Sequence, residues 1–195
     1  MTVYGRRMIA PGREASVSGA QVVAMSGFKS KELSEITGNV FDDIGKKWLI
    51  IGCKDRKNER INLMTASWGL MGVLWGKPVC TVFVRPGRYT RELIDDTDIF
   101  TVSLFDEKYR RELNICGKKS GHDTDKVELC NFTPFEKDGF CAVEEAERVY
   151  LLKKIYTDRL KVDNFLDDSI DGRWYPLKDY HNVYVCEIVG VLEKE

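Results

Sequence analysis

The chain has 195 residues, 43% of them hydrophobic, which is enough to bury the core of a single domain. Its 30 lysine and arginine residues nearly balance its 31 aspartate and glutamate residues, so the net charge is -1. A chain with so little net charge has no global field that would hold it on nucleic acid or on an anionic membrane. We therefore expect a small-molecule partner, and neither nucleic acid nor a membrane.

The cysteine content indicates the cellular compartment. The six cysteines include no Cys-x-x-Cys pair and no Cys/His cluster at zinc spacing. They are Cys53, Cys80, Cys116, Cys130, Cys141 and Cys186. Four of them lie in apolar runs, which predicts reduced and mostly buried thiols in a cytoplasmic protein without a metal site. No stretch approaches the roughly 18 to 20 apolar residues that a membrane-spanning helix requires.

Residues 1–27 differ from the rest of the chain, because they are rich in glycine and arginine and lack a periodic apolar pattern. A signal peptide is one interpretation, but serine, glycine and glutamine interrupt its apolar stretch, which favours an upstream extension. Met25 is a candidate for the natural start. We expect residues 1–27 to be an N-terminal extension, non-native or poorly ordered, and residues 28–195 to form the domain.

The first predicted element lies over residues 30–44, where apolar residues at helical spacing are interrupted by Gly38. This predicts one broken helix or two short ones. The following runs are short and rich in Val, Ile, Thr, Tyr and Phe, and Gly, Pro, Asn and Asp separate them. Strands are predicted at residues 48–53, 62–68, 79–85, 100–105, 148–156 and 183–192. We expect them to form an antiparallel sheet or barrel.

Short helices are predicted between these strands, at residues 91–96, 107–115 and 123–130. Their candidate N-caps are Thr90, Asp106 and Asp123. Residues 156–180 are predicted to form a long loop with a helical turn near residues 163–168. Since the chain lacks the regular strand and helix alternation of a doubly wound fold, the pattern favours a mainly β barrel with peripheral helices.

The loop at residues 85–90 has features of a phosphate site. Its Pro86-Gly87 pair predicts a tight turn, and Thr90 is expected to open a helix, so backbone N–H groups, a hydroxyl and two guanidinium groups can meet at one point. The alternative is a plain connection between a strand and a helix, with arginines that only face solvent.

A second loop, at residues 120–126, also ends at a predicted helix start. Lys126 lies in the first turn of that helix, where a cation opposes the local dipole unless an anion compensates. An external anion is one interpretation. The other is that Asp123 and Asp125 supply the compensation internally.

The segment at residues 62–68 is a predicted strand followed by the small residues Ala66 and Ser67. Backbone amides can approach the edge of a ring at such residues, and Trp68 can provide an apolar wall. A tryptophan at this position is also compatible with an ordinary place in the core, so the segment is weak evidence on its own.

Taken together, these loops resemble the flavin reductase-like family of FMN-binding split β-barrels, which includes flavoredoxins and ferric reductases. The resemblance covers the chain from about Phe28 to Glu195. Four motifs occur in order: Asn-x-Met-Thr-Ala-Ser-Trp at residues 62–68, Arg-Pro-x-Arg-Tyr-Thr at 85–90, Cys-Gly-x-x-Ser-Gly-x-Asp-x-Asp-Lys at 116–126, and Tyr-His-Asn-Val-Tyr-Val-Cys-Glu-Ile at 180–188.

The resemblance implies a split β-barrel with antiparallel Greek-key strands, bound FMN, and a homodimer with the flavin near the subunit interface. It implies that the flavin is lined by Asn62, Thr65, Ala66, Ser67 and Trp68. It implies that the ribityl phosphate is surrounded by Arg85, Arg88, Tyr89, Thr90, Ser120 and Lys126.

Two further residues have open interpretations. His181 matches a histidine that some family members place near the flavin, where it could donate a hydrogen bond to the ring or to a substrate. The alternative is a histidine at the start of a strand, bonded to a carbonyl. Cys116 is a candidate redox thiol, but no resolving cysteine is near it in sequence, which favours structural burial.

The resemblance implies that FMN performs the electron chemistry while the protein binds and orients it. No Gly-x-Gly-x-x-Gly motif occurs, so NADH or NADPH is expected to bind transiently at the flavin and not through a Rossmann domain. The first hypothesis is NAD(P)H-dependent reduction of free flavin or a similar small acceptor. The alternatives are a flavoredoxin-like electron carrier and a split barrel that binds a ligand without turnover.

Overall fold

The computed structural model describes residues 27–195 of the chain. Within them the strands are β1 (Phe28–Lys31), β2 (Leu49–Asp55), β3 (Arg60–Ala66), β4 (Gly69–Leu74), β5 (Lys77–Val84), β6 (Ile99–Leu104), β7 (Pro134–Lys137), β8 (Phe140–Val143), β9 (Arg148–Arg159) and β10 (Asn182–Lys194). The α-helices are α1 (Val40–Asp42), α2 (Tyr89–Asp95), α3 (Arg110–Lys118), α4 (Lys126–Leu129) and α5 (Asp168–Trp174). Short 3-10 helices occupy Leu33–Glu35, Glu107–Tyr109 and Val162–Asn164, and a π-helix occupies Asp43–Lys47.

One large sheet contains eight of these strands. Its order is β3-β2-β6-β9-β10-β5-β4, with β1 paired to β10, and β7 and β8 form a separate hairpin. Every strand pair is antiparallel. This confirms the predicted mainly β, antiparallel architecture with short helices around it.

Strand β2 shows why the sheet needs those helices. Successive side chains of a strand point to opposite faces, and here both faces are apolar. Leu49 and Ile51 join the larger core cluster inside the curved sheet. Ile50 joins a second cluster with Leu113 and Cys116 of α3 on the outer face. Helix α3 therefore covers a surface of the sheet that would otherwise be exposed, and this packing places the end of α3 beside the end of β3.

Strand β10 ties the sheet together because it is long enough to serve three neighbours. It pairs with β9 along most of its length, with β5 in its first half and with β1 in its second half. Two irregularities interrupt its pairing with β9, at Val185/Cys186 and Ile188/Gly190. Such irregularities bend a strand and increase its twist, which lets one strand follow the curved sheet.

The prediction of two short helices interrupted at Gly38 over residues 30–44 is confirmed in part, but it is wrong at its start. Residues Phe28–Lys31 form β1, which pairs with the end of β10. A short 3-10 turn follows, and Gly38 then takes a φ of +137°, which ends any continuous helix. Only α1 and the π-helix after it are helical over the later part of the prediction. Pairing with a distant strand overrode the local apolar spacing.

Two of the three predicted N-caps are wrong. Helix α2 begins at Tyr89, with Arg88 at the N-cap position, so Thr90 lies inside the helix. Helix α4 begins at Lys126, and the capping side chain is Asp125, not Asp123. Asp106 is confirmed as a cap, since its side chain accepts from the backbone N–H of Lys108 at the start of the 3-10 turn before α3.

Besides β1, four elements were not predicted from the sequence. They are the edge strand β4, the hairpin of β7 and β8, and helix α5. The segment predicted as a long loop at residues 156–180 instead contains the end of β9, a 3-10 turn and α5.

The six cysteines are free and buried, as the sequence predicts. The predicted extension at residues 1–27 lies, apart from Gly27, outside the described residues and stays a prediction. Over residues 27–195 no helix combines the length and the apolar character needed to cross a membrane.

Candidate functional site

Three chain segments that the sequence singled out meet at one end of the barrel: the end of β3, the turn between β5 and α2, and the loop between α3 and α4. They enclose two adjoining cavities. The large cavity has a volume of about 320 Å³ and is lined by Met64, Thr65, Ala66, Ser67, Trp68, Phe83, Arg85, Arg88, Gly117, Trp174 and His181. The small pocket has a volume of about 70 Å³ and is lined by Gly87, Arg88, Tyr89, Thr90, Lys118, Lys119, Ser120, Gly121 and Lys126. Arg88 lines both, so the two spaces adjoin at its side chain.

Lys126 is the buried cation of the small pocket. Its side chain is only 3% exposed, and its Nζ donates to the carbonyl of Lys119 at 3.4 Å. Burial and the nearby charge of Arg88 lower the pKa of Lys126 to about 8. Neither Asp123 nor Asp125 forms an ion pair with it, and Asp125 instead accepts two backbone N–H groups at the start of α4. The carboxylates of Asp123 and Asp125 therefore do not compensate the charge of Lys126.

Arg88 is the second cation of the small pocket and is half-buried. Its Nε lies 3.3 Å from the sulfur of Met64, and its Nη2 donates to the carbonyl of Cys116 at 3.4 Å. Burial lowers the pKa of its guanidinium below the usual value. Among residues 27–195 no carboxylate pairs with Arg88 or Lys126. The pocket thus holds two positive charges and lacks the anion that would balance them.

Gly121 forms part of the floor of the small pocket, and Asn62 lies directly behind Gly121. Asn62 is buried, and its Nδ2 donates to the hydroxyl of Thr90 at 2.8 Å, while its Oδ1 has no partner. A Cβ atom on Gly121 would overlap Oδ1 of Asn62 and lie 2.9 Å from Cδ1 of Tyr89. Only glycine fits this close approach. The structure therefore places Asn62 beneath the small pocket and not on the wall of the large cavity.

Tyr89 and Ser120 complete the predicted residues of this pocket. The ring of Tyr89 packs on His122 with centroids 4.0 Å apart, and its hydroxyl accepts from Asn58 at 3.3 Å. Ser120 is exposed, and its hydroxyl accepts from the backbone N–H of His122 at 3.1 Å. The Ser120 hydroxyl remains able to donate to an anion in the pocket.

The end of β3 builds one wall of the large cavity. Thr65 donates to the carbonyl of Leu113 in α3 at 2.5 Å, which fixes this strand end against the helix. Ala66 and Ser67 follow, and the half-buried ring of Trp68 closes the wall. Small side chains leave the backbone accessible here, as the sequence predicts.

Arg85 lines the large cavity and not the small pocket. Its Nη1 forms a salt bridge with Asp179 at 2.6 Å, and its Nη2 donates to the carbonyl of Trp174 at 2.9 Å. Its charge is therefore already balanced by the protein. The sequence grouped it with Arg88, but of these two arginines only Arg88 also lines the small pocket.

His181 lines the large cavity beside Trp68 and is 7% exposed. Its ring packs against Trp68 with centroids 4.8 Å apart. Its Nδ1 is 2.8 Å from the hydroxyl of Tyr175, so the partner is a side chain and not the predicted carbonyl. Burial and the positive charge of Arg85 lower the pKa of His181 to about 4, so the ring is neutral near pH 7.

Cys116 has a structural place beside these cavities. Its side chain is fully buried in the outer core cluster, and burial raises the pKa of its thiol to about 12. Its carbonyl accepts from Arg88. The structure thus agrees with burial and not with a reactive thiol.

Sequence reasoning missed two aromatic residues of the site, Trp174 and Tyr175. Trp174 approaches Trp68 edge to face, with centroids 5.2 Å apart, and Tyr175 is buried behind His181. Both belong to the segment predicted as a loop. The available signal was the occurrence of two adjacent large aromatic residues in an otherwise polar stretch.

Comparisons with known proteins are consistent with this geometry. The model of a family described as "Flavin reductase like domain" matches residues 41–195, whereas no curated protein sequence matches the chain. The structure is similar to flavoredoxin of Desulfovibrio vulgaris (Miyazaki F), with 23% identity, coverage of 85% of this chain and 76% of that chain, and a TM-score of 0.61. It is similar to the FMN-binding protein from Thermus thermophilus, with 21% identity, coverage of 86% and 82%, and a TM-score of 0.60.

A third similar structure is a split barrel domain protein from Shewanella frigidimarina NCIMB 400. It has 21% identity, coverage of 75% of this chain and 66% of that chain, and a TM-score of 0.58. At these identities the likeness concerns the fold, and it confirms the predicted split barrel.

Proposed function

The chain belongs to the flavin reductase-like family, and from this premise we propose that it is an oxidoreductase that binds FMN across the two adjoining cavities. The observation that supports this most directly is the pair of buried cations, Arg88 and Lys126, which have no anionic partner within the described residues. They lie at one end of a larger cavity with aromatic walls. A phosphate joined to a planar ring matches both halves of this space.

The small pocket has the donors that a phosphate monoester requires. Lys126 and Arg88 supply charge, and the hydroxyl of Ser120 can donate a further hydrogen bond. The close approach of Gly121 to Asn62 keeps this volume open, because any side chain at residue 121 would overlap the pocket floor. The residues present therefore fit the phosphate of FMN.

The large cavity suits the flavin ring. Its lining includes Ala66, Ser67 and Trp68, with His181 packed beside Trp68. When bound there, FMN would supply the capacity to accept a hydride and to pass on electrons. The protein's own residues bind and orient the ring: Thr65 holds the wall against α3, and Arg88, which lines both cavities, places a positive charge where the tail meets the ring.

The proposed reaction is NAD(P)H-dependent reduction of free flavin or a similar small acceptor. Trp174 is 41% exposed at the mouth of the large cavity, so a second flat ring can reach the cofactor from solvent. The sequence contains no Gly-x-Gly-x-x-Gly motif, which supports transient binding of the nicotinamide at this mouth. The alternative is a flavoredoxin-like carrier that exchanges electrons with protein partners and has no NAD(P)H turnover of its own.

Absorption spectroscopy tests both proposals. Purified protein should be yellow and should retain FMN through gel filtration. Anaerobic addition of NADH or NADPH should bleach the visible flavin band if the protein is a reductase. A flavin band that neither nucleotide bleaches would reject the reductase and favour the carrier, whereas protein that binds no FMN would reject the whole proposal.

We also propose that the protein is a homodimer. Edge strand β4 and the turn after it carry large apolar side chains at high exposure, with Leu70 at 62%, Val73 at 78% and Trp75 at 62%. Exposed apolar edge strands are typical of protein interfaces. Light scattering after gel filtration should give a dimer mass, and Val73→Glu should shift it toward the monomer. A monomer mass for the unmodified chain would contradict the proposal.

A further inference from the structure

A fully buried carboxylate, that of Asp55, lies behind the small pocket. Asp55 is the last residue of β2, and its side chain lines neither the small pocket nor the large cavity. Removing an ionised carboxylate from water is costly unless hydrogen bonds and an opposite charge replace its lost hydration. The residues that supply these contacts connect Asp55 to the small pocket.

The turn between β2 and β3 supplies most of the donors to Asp55. The backbone N–H of Asn58 donates to Oδ1 at 3.2 Å, and Nδ2 of Asn58 donates to Oδ2 at 2.8 Å. Nε of Arg60 donates to the same Oδ2 at 3.4 Å. Burial by itself would raise the pKa of Asp55, but the hydrogen bonds from its neighbours, first of all Asn58, outweigh burial and hold that pKa below its usual value. The carboxyl group is therefore ionised at neutral pH.

Arg60 connects Asp55 to the loop of the small pocket. While its Nε contacts Asp55, its Nη2 donates to the carbonyl of Gly121, which lines the pocket. One guanidinium can make both contacts because its N–H groups point in fixed directions from a rigid plane. A carbonyl oxygen held in this way cannot turn toward a bound anion, which it would repel. Arg60 thus fixes one side of the pocket from outside.

Tyr89 provides a second connection, at the start of α2. It lines the small pocket, and its hydroxyl accepts from Nδ2 of Asn58 at 3.3 Å, the same nitrogen that donates to Asp55. The hydroxyl is also close enough to Asp55 to contribute to the lowered pKa of the carboxyl group. Because Arg88 directly precedes Tyr89, these contacts also limit the movement of its backbone.

The small pocket needs such a support because its two cations repel each other. Burial and the positive charge of Arg88 lower the pKa of Lys126, which shows that the two groups feel each other's charge. Arg88 precedes α2, and Lys126 follows the loop between α3 and α4. Asp55 links these two segments through Tyr89 and Arg60. The links hold the pocket together when no anion is bound, so less ordering is required when a phosphate enters.

We propose that Asp55 is the positioning residue that gives the small pocket its preference for a phosphorylated flavin over the same flavin without phosphate. It acts through Arg60 on the loop at Gly121 and through Tyr89 on the start of α2, and it does not itself touch the ligand. This role rests on the proposed function, in which the small pocket holds the phosphate of FMN. It adds a residue outside both cavities that determines how tightly the phosphate is held.

The ratio of FMN affinity to riboflavin affinity tests the positioning role of Asp55. Riboflavin has the ring and the ribityl chain of FMN but lacks the phosphate, and quenching of flavin fluorescence measures the binding of both. The unmodified protein should bind FMN at least about thirtyfold more tightly than riboflavin. In Asp55→Asn, FMN affinity should fall about tenfold, while riboflavin affinity should stay within about twofold. A general loss of structure would weaken both ligands, so the ratio separates positioning from stability.

Arg60→Met decides the same question if Asp55→Asn does not fold, because it leaves the bonds between Asn58 and Asp55 in place. FMN affinity should fall about fivefold to tenfold, again with little change for riboflavin, and an unchanged ratio would by itself overturn the proposal. The double variant should lose less than the product of the two single losses, because Asp55 acts partly through Arg60. Losses that multiply would contradict that connection.

Glu136→Gln is the matched control. Glu136 forms a salt bridge at 2.6 Å with Lys54, the residue before Asp55, and both side chains are more than a third exposed. Removing this carboxylate charge should change neither affinity by more than about twofold, since exposed ion pairs contribute little. A fall in FMN affinity equal to that of Asp55→Asn would assign the effect to lost negative charge in general and would overturn the proposal.

The proposed function and the positioning role can fail separately. If the unmodified protein binds FMN no more tightly than riboflavin, the small pocket is not a phosphate site, and both are wrong. If the unmodified protein prefers FMN but Asp55→Asn and Arg60→Met keep that preference, only the positioning role is wrong. Equal losses for both flavins in these variants would show that Asp55 stabilises the fold without positioning the phosphate pocket.

Discussion

The small pocket and the large cavity adjoin each other but satisfy their polar groups in opposite ways. In the small pocket, Lys126 and Arg88 lack an anion and Oδ1 of Asn62 lacks a donor. In the large cavity, Arg85 is paired with Asp179 and Thr65 with the carbonyl of Leu113. Apart from Arg88, which lines both spaces, the small pocket contains an unpaired charge at Lys126, whereas Arg85 and Thr65 of the large cavity already have partners within the protein.

This difference assigns different tasks to the two spaces. Buried charge without a partner destabilises the ligand-free fold and is relieved when an anion binds, so the small pocket should dominate cofactor affinity. A cavity with paired polar groups keeps its shape with or without a ligand. The large cavity should therefore dominate selectivity among rings and acceptors, with smaller effects on affinity.

The largest effect is expected at Gly121, where any side chain fills the small pocket. In Gly121→Ala the new methyl group overlaps Asn62, and the carbonyl of residue 121 is held by Arg60, so the loop has little freedom to retreat. FMN affinity, measured by quenching of flavin fluorescence, should fall at least about a hundredfold, which corresponds to roughly 3 kcal/mol of overpacking and lost contacts.

Gly87→Ala is the matched control for this prediction. Gly87 lines the same pocket, but a Cβ atom there meets nothing within 4 Å. Its FMN affinity should stay within about twofold of the unmodified protein, as expected for a surface change. Similar losses of FMN affinity in both variants would show that overlap with the pocket floor is not what weakens phosphate binding.

Lys126→Met should stabilise the FMN-free protein but weaken its affinity for FMN. Removal of a buried unpaired charge should raise the free energy of unfolding of the FMN-free protein by about 1 kcal/mol, measured by urea denaturation. FMN affinity should fall by about 1 to 3 kcal/mol, and Arg88→Ala should lose a similar amount. Lys118→Met, at an exposed lysine of the same pocket, should change both quantities little. Unchanged FMN affinity in Lys126→Met and Arg88→Ala would mean that the phosphate lies elsewhere.

The strands around the two spaces were largely predictable from sequence. Runs such as residues 48–53 and 100–105 are rich in apolar, β-branched and aromatic residues, and they became β2 and β6 because burial on both faces suits such runs. Strand β1 was not predictable, because Phe28–Lys31 becomes a strand only through pairing with the far end of β10. Local spacing contains no information about that partner.

The two parts of the site also differed in how well the sequence predicted them. The family resemblance grouped Arg88, Ser120 and Lys126, and the structure brings these three residues to one pocket. Thr90 was misplaced as a cap, since its hydroxyl is instead engaged by Asn62 from a separate strand. The contribution of residues 162–180 to the site was missed because Trp174 and Tyr175 gain their positions from contacts with Arg85 and His181. No local sequence pattern reveals those contacts.

The pH dependence of FMN binding should separate the two spaces further. The pKa of Lys126 is lowered to about 8 in the ligand-free protein, so the ammonium that would bind phosphate is lost as the pH rises through 8. FMN affinity should therefore fall about tenfold between pH 7 and pH 9, and Lys126→Met should show no such fall. An equal fall in Lys126→Met would assign the dependence to another group.

The stability of the FMN-free protein should also depend on Lys126, but its contribution should rise with pH, whereas FMN affinity falls. The pKa of Lys126 is lower in the folded than in the unfolded state, so the unfolded chain binds more protons between about pH 8 and the ordinary lysine value of 10.5. The contribution of Lys126 to the free energy of unfolding should therefore rise with pH over that interval. Subtracting the urea denaturation profile of Lys126→Met isolates this contribution, and a difference that falls with pH would contradict the direction of the shift.

The smallest effect is expected from a substitution that leaves an unpaired positive charge on the wall of the large cavity. Asp179→Asn removes the partner of Arg85 and leaves a guanidinium without its counter-charge on the cavity wall. Binding of 4-methoxybenzoate to the FMN-loaded protein should tighten by about twofold to fivefold at low salt, since both side chains are about a third exposed and solvent screens them. Asp163→Asn, which removes the same charge from an exposed residue of the same segment, is the control. If Asp179→Asn gains no affinity for the carboxylate while Lys126→Met behaves as expected, the charge balance at Arg85 does not set the preference of the large cavity.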